Sequence, residues 1–362
     1  MSEWKDCQNI LAIRLDNLGD VIMTNAALHE LKQHHPKCKL TLLTSSMAAP
    51  IVPYLESVDD FIIFDTPWVK LEDEKQQTDV FQLIETLKSR KFDGCIIFNV
   101  YSQTSLPTAL LTFLAGIPLR AAYVRENPYH LLTHWCPDKE PLQEIHHQIV
   151  RDLLLLKELG INANLKHVPR LKHVTETAVR ESRVIKEVDI KSPFIIVNVD
   201  VSEEKRRLDS GLTNELLRRL LGRGERVFFT GQKPSAYLSS CIEQITHPQF
   251  INLIGRTLFH ELLFLIDNAQ AVISVNTSIM HIACAYNKPV LALYAKTNPQ
   301  HIPWSESSGY IMYDIPVQLK SKNQIIRYVD QTWSKEECPI PTSEQILSHF
   351  YRLRNNVQYS SI

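Results

Sequence analysis

The sequence predicts an α/β protein made of two doubly wound, Rossmann-like domains facing a central cleft. Two series of short apolar strands alternating with helical stretches run over residues 10–159 and 194–294. A polar, mixed stretch at 161–192 separates them. The length of 362 residues is too great for one ordinary core and points to two or three domains.

The first series opens with Ile10-Leu-Ala-Ile-Arg-Leu15, a strand, followed by the polar turn Asp16-Asn-Leu-Gly-Asp20. An apolar-periodic stretch from Val21 to His34 reads as a helix, and Lys39-Leu-Thr-Leu-Leu-Thr44 as the next strand. Phe61–Phe64 is a short strand, Asp79–Arg90 a helix, Gly94–Val100 a strand and Pro107–Leu114 a helix before Gly116-Ile-Pro118. A long helix over His146–Leu159 stops at Gly160.

The second series starts at the strand Phe194–Val199. A helix at about 213–221 closes on Gly222 and Gly224, and Glu225–Thr230 is a strand with Gly231 after it. Phe259–Asn268 reads as a helix, Ala271–Val275 as a strand, Ser278–Tyr286 as a helix and Pro289–Tyr294 as a strand. Residues 341–355 predict a final helix. The domains are placed at 1–172 and 173–340, with 341–362 as a C-terminal helix and tail.

Composition narrows the function classes. Lys plus Arg number 39 and Asp plus Glu 40, so the basic excess of a duplex-binding protein is missing and no nucleic-acid partner is expected. The seven Cys show no CxxC pair and no metal-ligand spacing, and Cys7, Cys95, Cys241 and Cys284, in or near apolar segments, read as buried, reduced thiols. The start, MSEWKDCQN, lacks the apolar core of a signal peptide, and no run reaches the roughly 18 apolar residues of a membrane span. The expectation is a cytoplasmic protein, compatible with peripheral contact at the inner face of the cytoplasmic membrane.

Three segments carry the candidate chemistry. In open α/β sheets, ligands bind beyond the carboxyl ends of the strands. Asp16-Asn17-Leu18-Gly19-Asp20 lies at such an end, where Gly19 permits a tight turn and Asp20 stands at a helix N-terminus. The plain alternative is that Asp20 merely caps that helix. Asn276-Thr277-Ser278, with His281 one turn later, lies at a second strand-to-helix junction, a setting that favours a phosphate. There the plain readings are a cap for Asn276 and a packed helical side chain for His281. Glu204-Lys205-Arg206-Arg207 follows the first strand of the second series and could neutralise a diphosphate, or could be a solvated surface run. The chain has neither GxGxxG in its first turn nor GxxxxGK[ST], which argues against a nicotinamide dehydrogenase and a P-loop NTPase.

Taken together, these segments resemble glycosyltransferase family nine, the heptosyltransferase family. Residues 10–28 are similar to the family's opening, in which a strand leads to Gly-Asp and a helix. Asn276–Ala285 with Lys288–Tyr294 and Thr297-Asn-Pro299 resembles its C-terminal motif, and Asn252–Thr257 before Glu261-Leu262 a further segment. The resemblance implies a GT-B fold and inverting transfer, with no cofactor and no metal; the absence of Asp-x-Asp agrees. Asp20 matches the family's proposed catalytic base and Lys205 a lysine near the donor phosphates. Asp16, Asn17, Lys205, Arg206, Asn276, Thr277, Ser278 and His281 are the expected substrate-binding residues. Asn276-Thr277-Ser278 stands where the family usually has Asp-Thr/Ser-Gly, and Gln232-Lys233 lacks an acidic residue often found there.

The resemblance implies a nucleotide-sugar donor, ADP-heptose or similar, and a glycan or glycolipid acceptor such as lipopolysaccharide core. The competing expectation is a non-catalytic nucleotide-sugar or glycan-binding protein on the same scaffold, since fold alone does not establish activity.

Overall fold

The computed structural model describes residues 3–69 and 79–359. The chain divides into two compact units, Met1–Arg170 and Leu171–Ile362.

The first unit contains β1 (Asn9–Arg14), α1 (Leu18–His34), β2 (Lys39–Thr44), β3 (Asp60–Ile63), α2 (Val80–Arg90), β4 (Gly94–Ile97), α3 (Leu106–Leu114), β5 (Leu119–Val124), β6 (His134–Pro137) and α4 (Gln148–Glu158). Its strands form one sheet in the order β3-β2-β1-β4-β5-β6, every pair parallel. β1 is central, with Ile10 paired to Leu40 on one side and to Gly94 on the other. Its apolar side chains Ile10, Leu11, Ala12 and Ile13 are all fully buried. That explains the continuous apolar run: a parallel strand covered on both faces has no polar side to show.

The second unit contains α5 (Glu176–Val179), α6 (Arg183–Glu187), β7 (Ile195–Asn198), α7 (Ser210–Gly222), β8 (Val227–Thr230), α8 (Ala236–Cys241), β9 (Phe250–Asn252), α9 (Phe259–Asn268), β10 (Ala271–Val275), α10 (Ser278–Ala285), β11 (Val290–Ala295), β12 (Ser308–Tyr313), α11 (Gln324–Thr332) and α12 (Ser343–Tyr359). The sheet order is β12-β11-β10-β7-β8-β9, again parallel throughout. The core joins Ile195, Val197, Phe229 and Ile273 of the sheet to Leu216, Leu217 and Leu220 of α7. Ile346, Leu347 and Phe350 of α12 belong to the same core, so the C-terminal helix is packed into the second unit. Residues 360–362 of the predicted tail lie outside the described residues.

Both sheets share one topology. The first strand of each unit lies at the centre, the next two step to one side and the last three to the other. This is the doubly wound order, and it creates a switch point between β1 and β4 in the first unit and between β7 and β10 in the second. The expected α/β class with two doubly wound sheets is thus what the chain adopts.

Several elements were not expected from sequence. β5 carries Arg120 amid its apolar residues, which obscures the strand pattern. The buried guanidinium is accommodated because Nε donates to the Leu131 carbonyl at 2.7 Å and Nη2 to that of His130 at 2.8 Å. β6 and β9 have only 4 and 3 residues, too few for a period to register. Within the polar stretch 161–192, α5 and α6 are single turns capped by Thr175 and Ser182. Helix α1 starts earlier than expected, at Leu18, which brings Gly19 and Asp20 inside its first turn. All seven Cys are free, and Cys7, Cys95, Cys241 and Cys284 are buried. Among the described residues, no helix is long and apolar enough to cross a membrane.

Candidate active site

The first unit gathers charge at its switch point. Asp16 and Asn17 leave the end of β1, and Asp20 occupies the third position of α1. The Asp20 Oδ2 accepts the Asn17 backbone N–H at 3.1 Å, the reciprocal bond of a capping box. Asp20 thus closes the capping box, and its other oxygen faces a charge as well. Oδ1 lies 3.3 Å from Nη2 of Arg14, a side chain with no solvent exposure. Asp16 stands 2.9 Å from Arg14 Nε and accepts from Gln103 Nε2 at 2.5 Å, while its carbonyl accepts from Ser45 Oγ at 2.7 Å. Burial pushes the Asp16 carboxyl above the usual carboxylate range, and Arg14 pulls against that shift.

In the second unit, two of the predicted segments meet. Glu204–Arg206 forms a single 3-10 turn after β7, and Thr277 is the N-cap of α10. Arg206 Nη1 donates to the Asn276 carbonyl at 3.4 Å, and Tyr313 Oη donates to the Arg206 carbonyl at 3.1 Å. Lys205 Nζ lies 3.0 Å from Glu203 Oε2, and Arg206 Nε 3.4 Å from the same oxygen. Arg206 thus stands beside the N-terminus of an eight-residue helix, whose first backbone N–H groups lack intrahelical partners, and Lys205 shares the Glu203 carboxylate with it. Such a terminus attracts anions. Thr277 Oγ1 sits 3.3 Å from Ser274 Oγ, and His281 is buried one turn into α10.

The Asn276 side chain is directed into the fold. Its Nδ2 donates to the Ala295 carbonyl at 3.3 Å and to Thr297 Oγ1 at 3.1 Å, and its Oδ1 accepts from Ala295 N at 3.3 Å. Both amide protons are spent in tying the end of β10 to the end of β11. Among the described residues, no group of three or more His, Cys, Asp or Glu is placed to hold a metal ion.

Comparison with known proteins adds the family. Residues 80–326 match the family model of glycosyltransferase family 9 (heptosyltransferase), more than half of the chain. The chain belongs to glycosyltransferase family 9. Lipopolysaccharide heptosyltransferase 3 of Escherichia coli K12 is 25% identical over 299 residues, covering 80% of this chain and 83% of that protein. The family 9 structure from Veillonella parvula superposes with a TM-score of 0.76 at 16% identity, over 98% of this chain and 99% of that one. The E. coli ADP-heptose lps heptosyltransferase II gives a TM-score of 0.71 at 20% identity, over 97% and 99%. The fold is the GT-B fold of these heptosyltransferases, and the protein is a glycosyltransferase.

This glycosyltransferase also carries site residues that sequence reading passed over. Arg14 interrupts an apolar strand, and Asp152 lies on the buried face of α4; each was a visible anomaly whose partner was not visible. Asp152 Oδ2 accepts from Thr24 Oγ1 at 2.7 Å and Oδ1 from Gln148 Nε2 at 2.8 Å, and Oδ1 lies 4.0 Å from Arg14 Nη1. Burial pushes the Asp152 carboxyl up to about 6, against the pull of Arg14 and its hydrogen bonds. Next to it, Arg151 pairs with Asp138 at 2.7 Å and Glu140 at 2.6 Å, and its guanidinium lies 4.4 Å from the Tyr123 ring centre.

Proposed function

We propose that this glycosyltransferase transfers a heptose from ADP-heptose to a hydroxyl of a lipopolysaccharide-core acceptor, with inversion at the anomeric carbon and without a metal ion. The names of its relatives supply the substrate side of this reading. One observation carries the chemistry: each unit collects its charged candidates at the switch point of its own sheet. The first offers a carboxylate, and the second two cations and a helix N-terminus.

Asp20 takes the proton of the acceptor hydroxyl as that oxygen bonds to the anomeric carbon. The bond from that carbon to the diphosphate oxygen breaks, and its electron pair leaves with ADP. A single displacement of this kind inverts the centre, through a sugar with oxocarbenium character. Lys205, Arg206 and the N–H groups at Thr277 and Ser278 hold the charge that builds on the diphosphate. These groups supply the positive charge that a metal ion would otherwise bring. Asp16 and Asn17 border the acceptor side, and His281 supports the donor turn. The reading carries with it a cytoplasmic location, with peripheral contact at the inner membrane where a glycolipid acceptor is anchored.

The test is transfer itself. The purified protein is incubated with ADP-heptose and with lipopolysaccharide truncated in its inner core, with and without EDTA. The expected product gains one heptose of opposite anomeric configuration, by mass spectrometry and NMR, and EDTA leaves the rate unchanged. Tight ADP-heptose binding with no transfer to any acceptor would instead support a non-catalytic binding protein.

A further inference from the structure

The first unit buries a cation that the proposed chemistry does not yet use. Arg14 has no solvent exposure, and each of its three guanidinium nitrogens faces a different carboxylate: Nε faces Asp16 at 2.9 Å, Nη2 faces Asp20 at 3.3 Å and Nη1 faces Asp152 at 4.0 Å. A buried arginine stays charged, and its planar fork directs charge along fixed directions. Burying it in an apolar strand is costly unless it has partners, and all three partners lie at the carboxyl end of β1 or on α4.

We infer that Arg14 is the positioning residue of the Asp20 base, the buried ion-pair partner that holds this carboxylate where it meets the acceptor hydroxyl. The inference rests on the reading of Asp20 as the base. The Asn17 N–H donates to Oδ2 while Arg14 Nη2 stands 3.3 Å from Oδ1 as an ion-pair partner, so each oxygen of the carboxylate has its own neighbour. Asp16 and Asp152 hold the guanidinium from its other two directions. Asp152 is in turn fixed by Thr24 and Gln148, and Asp16 by Gln103. The charged groups packed around Arg14 are Asp16 and Asp20 from the β1–α1 turn and Asp152 and Arg151 from α4. Arg151 is itself neutralised by Asp138 and Glu140.

Removing Arg14 outright would leave three carboxylates buried together, and the chain could fail to fold. The test therefore uses Arg14→Lys and Asp152→Asn, beside Asp20→Asn, with every rate normalised to the folded fraction by circular dichroism. Lysine keeps the charge but loses the fork, so kcat should fall by about tenfold or more while KM for ADP-heptose changes by less than about twofold. Asp152→Asn leaves the Asp20 partner in place but frees one side of the guanidinium, and should lower kcat by less. A lysine variant with the wild-type kcat overturns the positioning role, provided Asp20→Asn has lost its turnover. If Asp20→Asn transfers at the wild-type rate, the base reading itself falls, and this inference with it.

Discussion

Glu203 Oε2 stands 3.0 Å from Lys205 Nζ, so a carboxylate of the protein occupies the partner position that the proposed function gives to a donor diphosphate. Both side chains keep 29% of their exposure, which leaves the pair open to exchange with an incoming anion. An exposed pair of this kind is worth at most about 1 kcal/mol, so displacing Glu203 costs little.

Lys205→Ala should weaken ADP binding by about 10- to 100-fold, the range of a lost hydrogen bond to a charged group. The loss should be larger at low salt, where screening is weaker. Glu203→Gln should act in the opposite direction and tighten ADP modestly. Titration calorimetry at two ionic strengths checks both. Unchanged affinity in the alanine variant would remove Lys205 from the donor site.

Asp20→Asn keeps the side-chain shape and an oxygen for the Asn17 N–H, so the fold should survive with a small change in Tm. It removes the proton acceptor. Turnover should fall by about 100- to 10,000-fold while donor affinity stays close to wild type. If Asp20 were only a cap, the variant would lose some stability and keep its rate.

Asn276→Asp restores the residue type usual in the family at a position where this chain needs a donor. A carboxylate there would face the Ala295 carbonyl without a proton to offer, at a cost of about 1–3 kcal/mol. Thermal denaturation should show a lowered Tm at neutral pH. The deficit should shrink on acidification, because a protonated carboxyl can donate again. A Tm equal to that of wild type at all pH values would show that the brace contributes nothing.

Asp152 gives a pH signature of its own. Its folded carboxyl is raised from 3.8 to about 6. Between those values the folded state binds more protons than the unfolded one, so this group makes stability fall as pH rises from about 4 to about 6. The slope from one group is at most about 1.4 kcal/mol per pH unit. Asp152→Asn should flatten the stability–pH curve across that window, measured by urea denaturation at closely spaced pH values. An identical slope in the variant would show that the buried carboxyl does not titrate there.

The two sheets were legible because their strands are local signals. Ile10–Ile13, Ile195–Val197 and Ala271–Ile273 are buried on both faces, and that burial writes itself into the sequence as unbroken apolar runs. The junction positions were legible for the same reason: Asp16–Asp20 and Asn276–His281 follow directly from where those runs end. β12 and α11, with mixed polar and apolar faces, left no comparable trace.

The sequence by itself determined the α/β class, the doubly wound halves and the two strand-to-helix turns where the candidate chemistry lies, because each depends on the order of residues close together in the chain. Only the tertiary structure decided which charges meet. Arg14 and Asp152 come together because β1 and α4 pack in the same unit, and Arg206 reaches the Asn276 carbonyl because β7 and β10 are neighbours in one sheet. The structure likewise turned the Asn276 amide inward onto Ala295. A buried charge shows in a sequence as an irregularity in an apolar run. Its partner does not, because burial is a property of one position and pairing is a property of two positions that packing brings together.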